Sequence, residues 1–240
     1  MKISIVIPAF NEELLLAGTL ENLGSASAVF ERQEWQSEII VCDNNSTDRT
    51  AEIARTAGAR VVFEPVNQIA RARNAGAAAA TGDWLIFVDA DSYPDEGLFA
   101  DTAAAIGAGG CLAGGATLRI AEAKLDWTSV IRGWNFVSRA GNWPCGAFIF
   151  VEADAFRKIG GFNDRIFAGE EVDFTRRLRR LGRATGRKVV ILHRHPLLTS
   201  ARKFRLYSKW TYGRLLLRLI LNRGTITRRE GCELWYDGKR

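Results

Sequence analysis

Cysteine is scarce and scattered in this chain: Cys42, Cys111, Cys145 and Cys232 are its four, and no Cys-x-x-Cys occurs. That pattern argues against a disulfide framework and predicts free thiols in a reducing cytoplasm. No run reaches the roughly 18 consecutive apolar residues that a membrane-spanning helix needs. The opening, Met1 to Pro8, carries one charged side chain and an apolar run too short for a signal peptide, and reads as a first strand. Internal repeats and disordered linkers are missing, as is a recognised nucleic-acid-binding module, so nucleic acid is an unlikely partner. Acidic residues nearly vanish from one end. Residues 174–240 hold 19 Lys and Arg against 3 Asp and Glu, a net +16, whereas residues 1–173 hold 14 against 24, a net −10; the two make the +6 of the whole chain. An acidic body with a strongly basic carboxyl end suggests an anionic partner surface, such as anionic lipid or a phosphorylated substrate.

What is present is an ordinary globular composition, 47% hydrophobic and 25% charged, long enough for one large domain or a domain with an appendage. Strand and helix signals alternate through the first half. Ile3–Ile7 is a β-branched run closed by Pro8. A helix follows, with Leu16, Leu20 and Leu23 as its apolar stripe and Glu12 and Glu13 near its start. Strands are predicted at Ile39–Cys42, Arg60–Phe63 and Trp84–Val88, with helices around Thr50–Ala57 and Gln68–Ala80 between them. Repeated β-α-β with short loops predicts an α/β fold, a doubly wound and mainly parallel sheet flanked by helices.

Beyond Ser92 the spacing predicts a helix and then an edge strand within Ala103–Ala116, and an irregular, tryptophan-rich stretch over 117–145. A strand at Ala147–Val151, a short helix at Ala153–Ile159, a helix at Glu171–Leu181 and a strand at Lys188–Leu192 come next. Residues 1–195 thus read as a catalytic domain, its nucleotide-binding half 1–92 and its acceptor half 93–195, with 196–240 a basic helical extension. In that extension Arg214, Arg218 and Asn222 form a narrow polar stripe, and Leu215 to Leu217 with Leu219 to Leu221 cover the rest. So wide an apolar face is buried on protein or dipped into a membrane interface.

The stretch Asp83-Trp-Leu-Ile-Phe-Val-Asp-Ala-Asp-Ser92 carries the most chemistry. Its apolar core suits a strand buried on both faces, so Asp89 and Asp91 must lie at the strand's carboxyl end, where open α/β sheets bind ligands. Two hard oxygen donors point to Mn²⁺ or Mg²⁺ holding a phosphorylated substrate. The first strand delivers Pro8, Ala9, Phe10, Asn11 and Glu12 to the same edge, and the second delivers Asp43 and Asn45. An aromatic and an acceptor carboxylate can hold a nucleobase, and Arg71 and Arg73 on the following helix could neutralise a diphosphate. Helix and turn capping is the competing role for Asn11 and Asn45, and a solvated helix charge for either arginine.

In its order of motifs the chain resembles the family-2 glycosyltransferases of the GT-A fold. The matching segments are Ser4 to Glu13, Val41 to Thr50, Ala70 to Gly76 leading into Thr81 to Asp91, Gly160-Gly-Phe-Asn-Asp164 and Gly169-Glu-Glu-Val-Asp-Phe-Thr-Arg-Arg177. The resemblance implies inverting transfer of a sugar from a nucleotide-sugar donor to an acceptor hydroxyl or phosphate. It places Phe10, Glu12 and Asp43 at the nucleoside, Asp89 and Ala90 by the ribose and metal, and Asp91 as principal metal ligand. The base would come from Glu170, Glu171 and Asp173. The family shows Glu-Asp where this chain has Glu170-Glu171, which leaves the base open between those two, with Asp173 orienting the site or capping its helix. His193 and His195 are the only histidines; one could be a third metal ligand, or both could be a surface pair. By position Trp143, Cys145 and Gly146 line the acceptor pocket or pack in the core.

A membrane-associated, lipid-linked or cell-envelope acceptor fits the basic tail, with peripheral contact at the inner face of a membrane. Two rival classes differ in observable ways. A sugar nucleotidyltransferase would carry a glycine-rich loop with a basic residue after its first strand, where this chain has Pro8-Ala-Phe-Asn-Glu12. A non-catalytic binder of sugar nucleotides or of an anionic partner has no need of Asp89-x-Asp91 and paired glutamates.

Overall fold

A computed structural model describes residues 1–121, 125–202, 226–230 and 232, with the side chains of residues 125 and 126 outside the description. The first half alternates as its periodicity predicts: β1 (Lys2–Ala9), α1 (Leu16–Glu31), β2 (Gln36–Asp43), α2 (Thr50–Thr56), β3 (Arg60–Phe63), α3 (Ile69–Ala79) and β4 (Trp84–Val88). The second half adds β5 (Ser92–Tyr93), α4 (Glu96–Gly107), β6 (Cys111–Ile120), α5 (Leu125–Gly141), β7 (Phe148–Glu152), α6 (Ala153–Lys158), α7 (Glu170–Thr185) and β8 (Lys188–Thr199).

The described strands form one sheet in the order β3-β2-β1-β4-β7-β6-β8-β5. Strands β3, β2, β1 and β4 run parallel, β7 runs antiparallel to both β4 and β6, and β8 returns parallel to β6. β4 sits in the middle and all five of its residues are buried, which explains its unbroken apolar run. One face of the sheet packs Ile3, Ile5, Ile7, Ile86 and Val88 against Leu16, Leu20 and Phe30 of α1 and Leu98 and Phe99 of α4. The other face packs Val6, Leu85, Phe87 and Ile149 against Ala70 of α3, Phe156 of α6, Phe162 of the segment between α6 and α7, and Phe174 and Leu178 of α7. Phe162 and Phe174 stack with ring centroids 4.1 Å apart. A continuous apolar layer on each face leaves only the sheet's edges for polar chemistry.

Three expectations change. The strand after α4 is interior, not an edge, since β6 pairs β7 on one side and β8 on the other. Residues 117–145 are not irregular: β6 continues to Ile120 and α5 takes Leu125–Gly141. Trp127, Ile131, Trp134 and Ser138 recur at three- and four-residue spacing and form the covered side of that helix, while Val130, Phe136 and Val137 stand exposed. Finally, β8 runs past residue 195 to Thr199, so the boundary there cuts through a strand. Most of the basic extension, including Leu215 to Leu221 with Arg214, Arg218 and Asn222, lies outside the described residues. Its described part returns to the body: Ile226 bridges antiparallel to Ala168, and Ile226 and Cys232 are buried. Among the described residues no helix is long and apolar enough to cross a membrane.

Candidate functional site

The carboxyl ends of β1, β2 and β4 lie together, with Ala9 in register with Asp43 on β2 and Val6 with Phe87 on β4. Short hydrogen bonds then sew the β1 and β2 loops to each other. The Asn11 and Glu12 amides donate to Ser46 Oγ and Thr50 Oγ1 at 3.0 and 2.8 Å, and Asn11 Oδ1 accepts from the Thr47 amide at 2.8 Å. Asn11 and Asn45 both take positive φ, 53° and 65°, a conformation that asparagine tolerates better than most residues. Asn11 therefore serves the loop's shape through its side chain. Asp43 is 7% exposed and accepts the Ser46 amide at 3.0 Å, which holds its carboxylate at the loop's start.

Asp89, Ala90 and Asp91 follow β4 into the same edge. Thr19 Oγ1 of α1 donates to the Ala90 carbonyl at 2.7 Å, and the Ser200 amide donates to the Asp91 carbonyl at 3.0 Å. Asp91 is 5% exposed and Glu12 7%. Between their carboxylates lies the guanidinium of Arg202, which donates to Glu12 Oε2 and Oε1 at 2.7 and 2.8 Å and lies 3.4 Å from Asp91 Oδ2. The mouth of the sheet is therefore a place that holds a cation between hard oxygen donors, the donor chemistry a divalent ion needs. Among the described residues no three His, Cys, Asp or Glu side chains converge as a metal-holding group. An ion here would complete its shell with oxygens from a diphosphate and water, as Mg²⁺ does in sites of this type.

A second cluster stands beside the first. Arg73, on α3 and 1% exposed, donates through Nη1 to Glu170 Oε1 at 2.6 Å, and through Nη2 to the Gly146 carbonyl at 2.9 Å and Asp89 Oδ1 at 3.2 Å. Its guanidinium carbon lies 5.2 Å from the Phe162 ring centroid. Burial works against the charge, and Glu170, Asp89 and Glu171 together outweigh it, so Arg73 stays protonated. It ties three elements together rather than lining an open groove. Arg71 likewise bridges Glu64 at 3.2 Å and Asp164 at 3.4 Å.

Gly169 opens α7 in the left-handed region, φ +79°, and places Glu170, Glu171 and Asp173 in the first turn, where the helix dipole favours carboxylates. Their fates differ. Glu170 is spent on Arg73, and Asp173 Oδ2 accepts from Arg177 Nε at 2.8 Å. Burial, then the neighbouring Glu170 carboxylate, push the Glu171 carboxyl up to about 8, against the pull of a backbone N–H and of Arg73. A half-buried carboxyl raised to near neutrality is poised to gain and lose a proton.

The remaining expected residues are placed as follows. Trp143 lies under two arginines of α7, Arg179 and Arg176, whose guanidinium carbons are 5.3 and 5.8 Å from the ring centroid. Burial pushes the Cys145 thiol up to about 12, so it is an inert apolar group beside the Gly146 carbonyl that Arg73 holds. The two histidines do not join Asp91. His195 Nδ1 lies 3.0 Å from Asp101 Oδ2 and packs on Gly97 of α4, leaving no room there for a Cβ. His193 opens instead on a cavity of about 500 Å³ with Phe136, Arg139, Asn142 and Ile191. A shift of register between β6 and β8, from Ala116–Leu192 to Leu118–Leu197, falls across the segment that carries His193 and His195.

The family model for glycosyl transferase family 2 matches residues 4–160, more than half of the chain. The chain belongs to that family. An uncharacterized glycosyltransferase of Mycobacterium tuberculosis is 30% identical over 141 residues, covering 57% of this chain and 60% of its own length. A probable glycosyltransferase of Bacillus subtilis is 26% identical over 205 residues, covering 75% and 47%. The chain thus spans less than two thirds of either relative. Among solved structures, the Pyrobaculum calidifontis mannosyltransferase PcManGT, in complex with GDP-Man and Mn²⁺, superimposes with a TM-score of 0.69 at 20% identity, over 88% of this chain and 60% of that one. Glucosyl-3-phosphoglycerate synthase of M. tuberculosis, in complex with Mn²⁺, UDP and phosphoglyceric acid, gives 0.57 at 20% identity over 82% and 70%. The fold of this family-2 chain is accordingly the GT-A fold.

Two residues that tie distant segments of this family-2 chain to the site escaped the sequence reading. Arg202 sat unmarked among the basic residues of the tail, and only the path of β8 back to Asp91 brings it to the mouth. Gln68, whose side chain donates to the Asp164 and Ile166 carbonyls at 2.6 and 3.0 Å, joins the α3 entrance to the segment before α7. No local pattern announces a contact between residues so distant in the chain.

Proposed function

We propose that this chain is an inverting, metal-dependent glycosyltransferase that moves a sugar from a nucleotide-sugar donor to an acceptor hydroxyl or phosphate. The observation that carries the reading is the single guanidinium of Arg73, which bonds Asp89 of the Asp-x-Asp segment and Glu170 at the start of α7. It ties Asp89 to the first turn of α7, which carries both Glu170 and Glu171. Asp43, with Phe10 and the Pro8–Ala9 end of β1, would receive the nucleoside, and Glu12 and Asp89–Ala90 the ribose side. Asp91 would hold the Mn²⁺ or Mg²⁺, whose chemistry is to neutralise the diphosphate as it leaves.

Glu171 is assigned as the base. Glu170 is ion-paired with Arg73 and Asp173 with Arg177, whereas Glu171 keeps a carboxyl of raised proton affinity. As its ionised form it would take the acceptor proton while the acceptor oxygen attacks from the face opposite the leaving group. The assignment predicts that Glu171→Gln keeps nucleotide binding and loses transfer by about 10²- to 10⁴-fold, the usual worth of a positioned base. Donor turnover measured beside nucleotide affinity checks it, and an active Glu171→Gln enzyme would move the role elsewhere.

For the acceptor, the +16 charge of residues 174–240 favours an anionic or membrane-borne molecule, lipid-linked or of the cell envelope. One relative, from Staphylococcus haemolyticus and 40% identical over 96 residues, is named a 4,4'-diaponeurosporenoate glycosyltransferase, which is compatible with a lipid-associated acceptor here.

A further inference from the structure

Arg202 lies just beyond β8, and its own amide donates to Ser200 Oγ at 3.1 Å. Its side chain is 13% exposed, against 9% for Glu12 and 7% for Asp91. Both terminal nitrogens are committed to Glu12, while Nε is buried with no hydrogen-bond partner. So the guanidinium neutralises the carboxylates but is itself incompletely satisfied, a combination suited to a contact that is exchanged rather than permanent. Removing it without a substitute would take a bonded cation away from two nearly buried carboxylates, which is costly.

We propose that Arg202 is the resident counter-cation of the donor mouth, paired with Glu12 and lying against Asp91 where a divalent ion arrives with the nucleotide, so that loading the donor exchanges Arg202 for the metal at Asp91. The inference rests on the reading of Asp91 as metal ligand. A bare divalent ion must break the bidentate Glu12 pair and gives the freed guanidinium nothing in return. A metal–nucleotide complex brings diphosphate oxygens as well, and the planar guanidinium fork can bond those in two places. Metal and nucleotide would then bind cooperatively, with Arg202 setting the coupling. Arg202 is thus a positioning residue that discriminates between free ions and ion–diphosphate complexes.

The test is titration of the full chain with Mn²⁺ alone, with Mn²⁺ at saturating GDP, and with Mn²⁺ at saturating UDP, using wild type, Arg202→Gln and Arg202→Lys. Arg202→Gln is expected to bind Mn²⁺ alone more tightly by about 5- to 150-fold, the ordinary range of a coupling between sites. It is also expected to lose most of the enhancement that the favoured nucleotide gives the wild type. Arg202→Lys keeps the charge but cannot grip both Glu12 oxygens, and falls between the two. It remains informative where the glutamine variant folds poorly. Wild-type affinity for Mn²⁺ alone in both variants, with nucleotide-enhanced binding intact, would overturn the exchange and leave the donor site standing. Failure of the wild type to bind Mn²⁺ with either nucleotide would instead remove the metal reading, and the exchange with it.

Discussion

At the scale of single residues the site depends on one buried cation serving several anions. Arg73 is buried and compensates Glu170 and Asp89, so its loss strips a shared cation from two carboxylates. Arg73→Met should cost about 3–5 kcal/mol, the scale for removing one partner of a buried ion pair, read from denaturant unfolding. Glu171 gives a pH signature. Its carboxyl is raised to about 8 in the folded chain, so between the ordinary glutamate value and about 8 the folded state holds more protons than the unfolded. This group's contribution to stability therefore falls as pH rises through that window. Glu171→Gln removes the slope, and its melting temperature relative to wild type should climb from pH 5 to pH 9. As a base, the same group should give transfer a rate limb that rises with pH towards about 8, shifted downward where the bound metal adds positive charge.

At the scale of elements, α7 carries the proposed base, and its entry depends on Gly169 at φ +79°. Gly169→Ala places a side chain in the left-handed region at a cost of about 1–2 kcal/mol. It should lower the transfer rate more than nucleotide affinity, because it shifts Glu171 while the β1, β2 and β4 loops stay. Steady-state kinetics against direct binding separates the two. The strands and helices of the first half were legible because each apolar run has one unambiguous period; Trp84–Val88 is buried at every position and ends at two aspartates that could go nowhere else. Residues 117–145 were not legible. The stretch read as irregular and tryptophan-rich, and the covered spacing of Trp127, Ile131, Trp134 and Ser138 emerges only once exposed Val130, Phe136 and Val137 are set aside. Glu170 and Glu171 were equivalent as neighbours in sequence. A contact 97 residues away, to Arg73, separates them.

At the scale of the whole molecule, chain topology carries remote residues to one edge of one sheet. The acidic body supplies Glu12, Asp43, Asp89 and Asp91 there, and the basic end returns Arg202 to the same place. The charge division visible in the sequence is therefore partly an internal complementarity, beyond any outside partner it attracts. Ile226 against Ala168 brings a second part of that end to the approach of α7. Raising salt should weaken binding of an anionic acceptor more than it weakens the partly buried Arg202–Glu12 pair, since screening acts chiefly on exposed charges; acceptor and nucleotide affinities measured across ionic strength would separate them. The central claim is that Asp91 holds a divalent ion that in turn holds a nucleoside diphosphate. Calorimetric titration of GDP and of UDP into wild type and Asp91→Asn, each with Mn²⁺ and then with EDTA, tests it most directly. The account predicts that one nucleotide binds wild type only with Mn²⁺ and that Asp91→Asn, still folded, loses that binding. Equal binding in EDTA, or undiminished binding by Asp91→Asn, would contradict it.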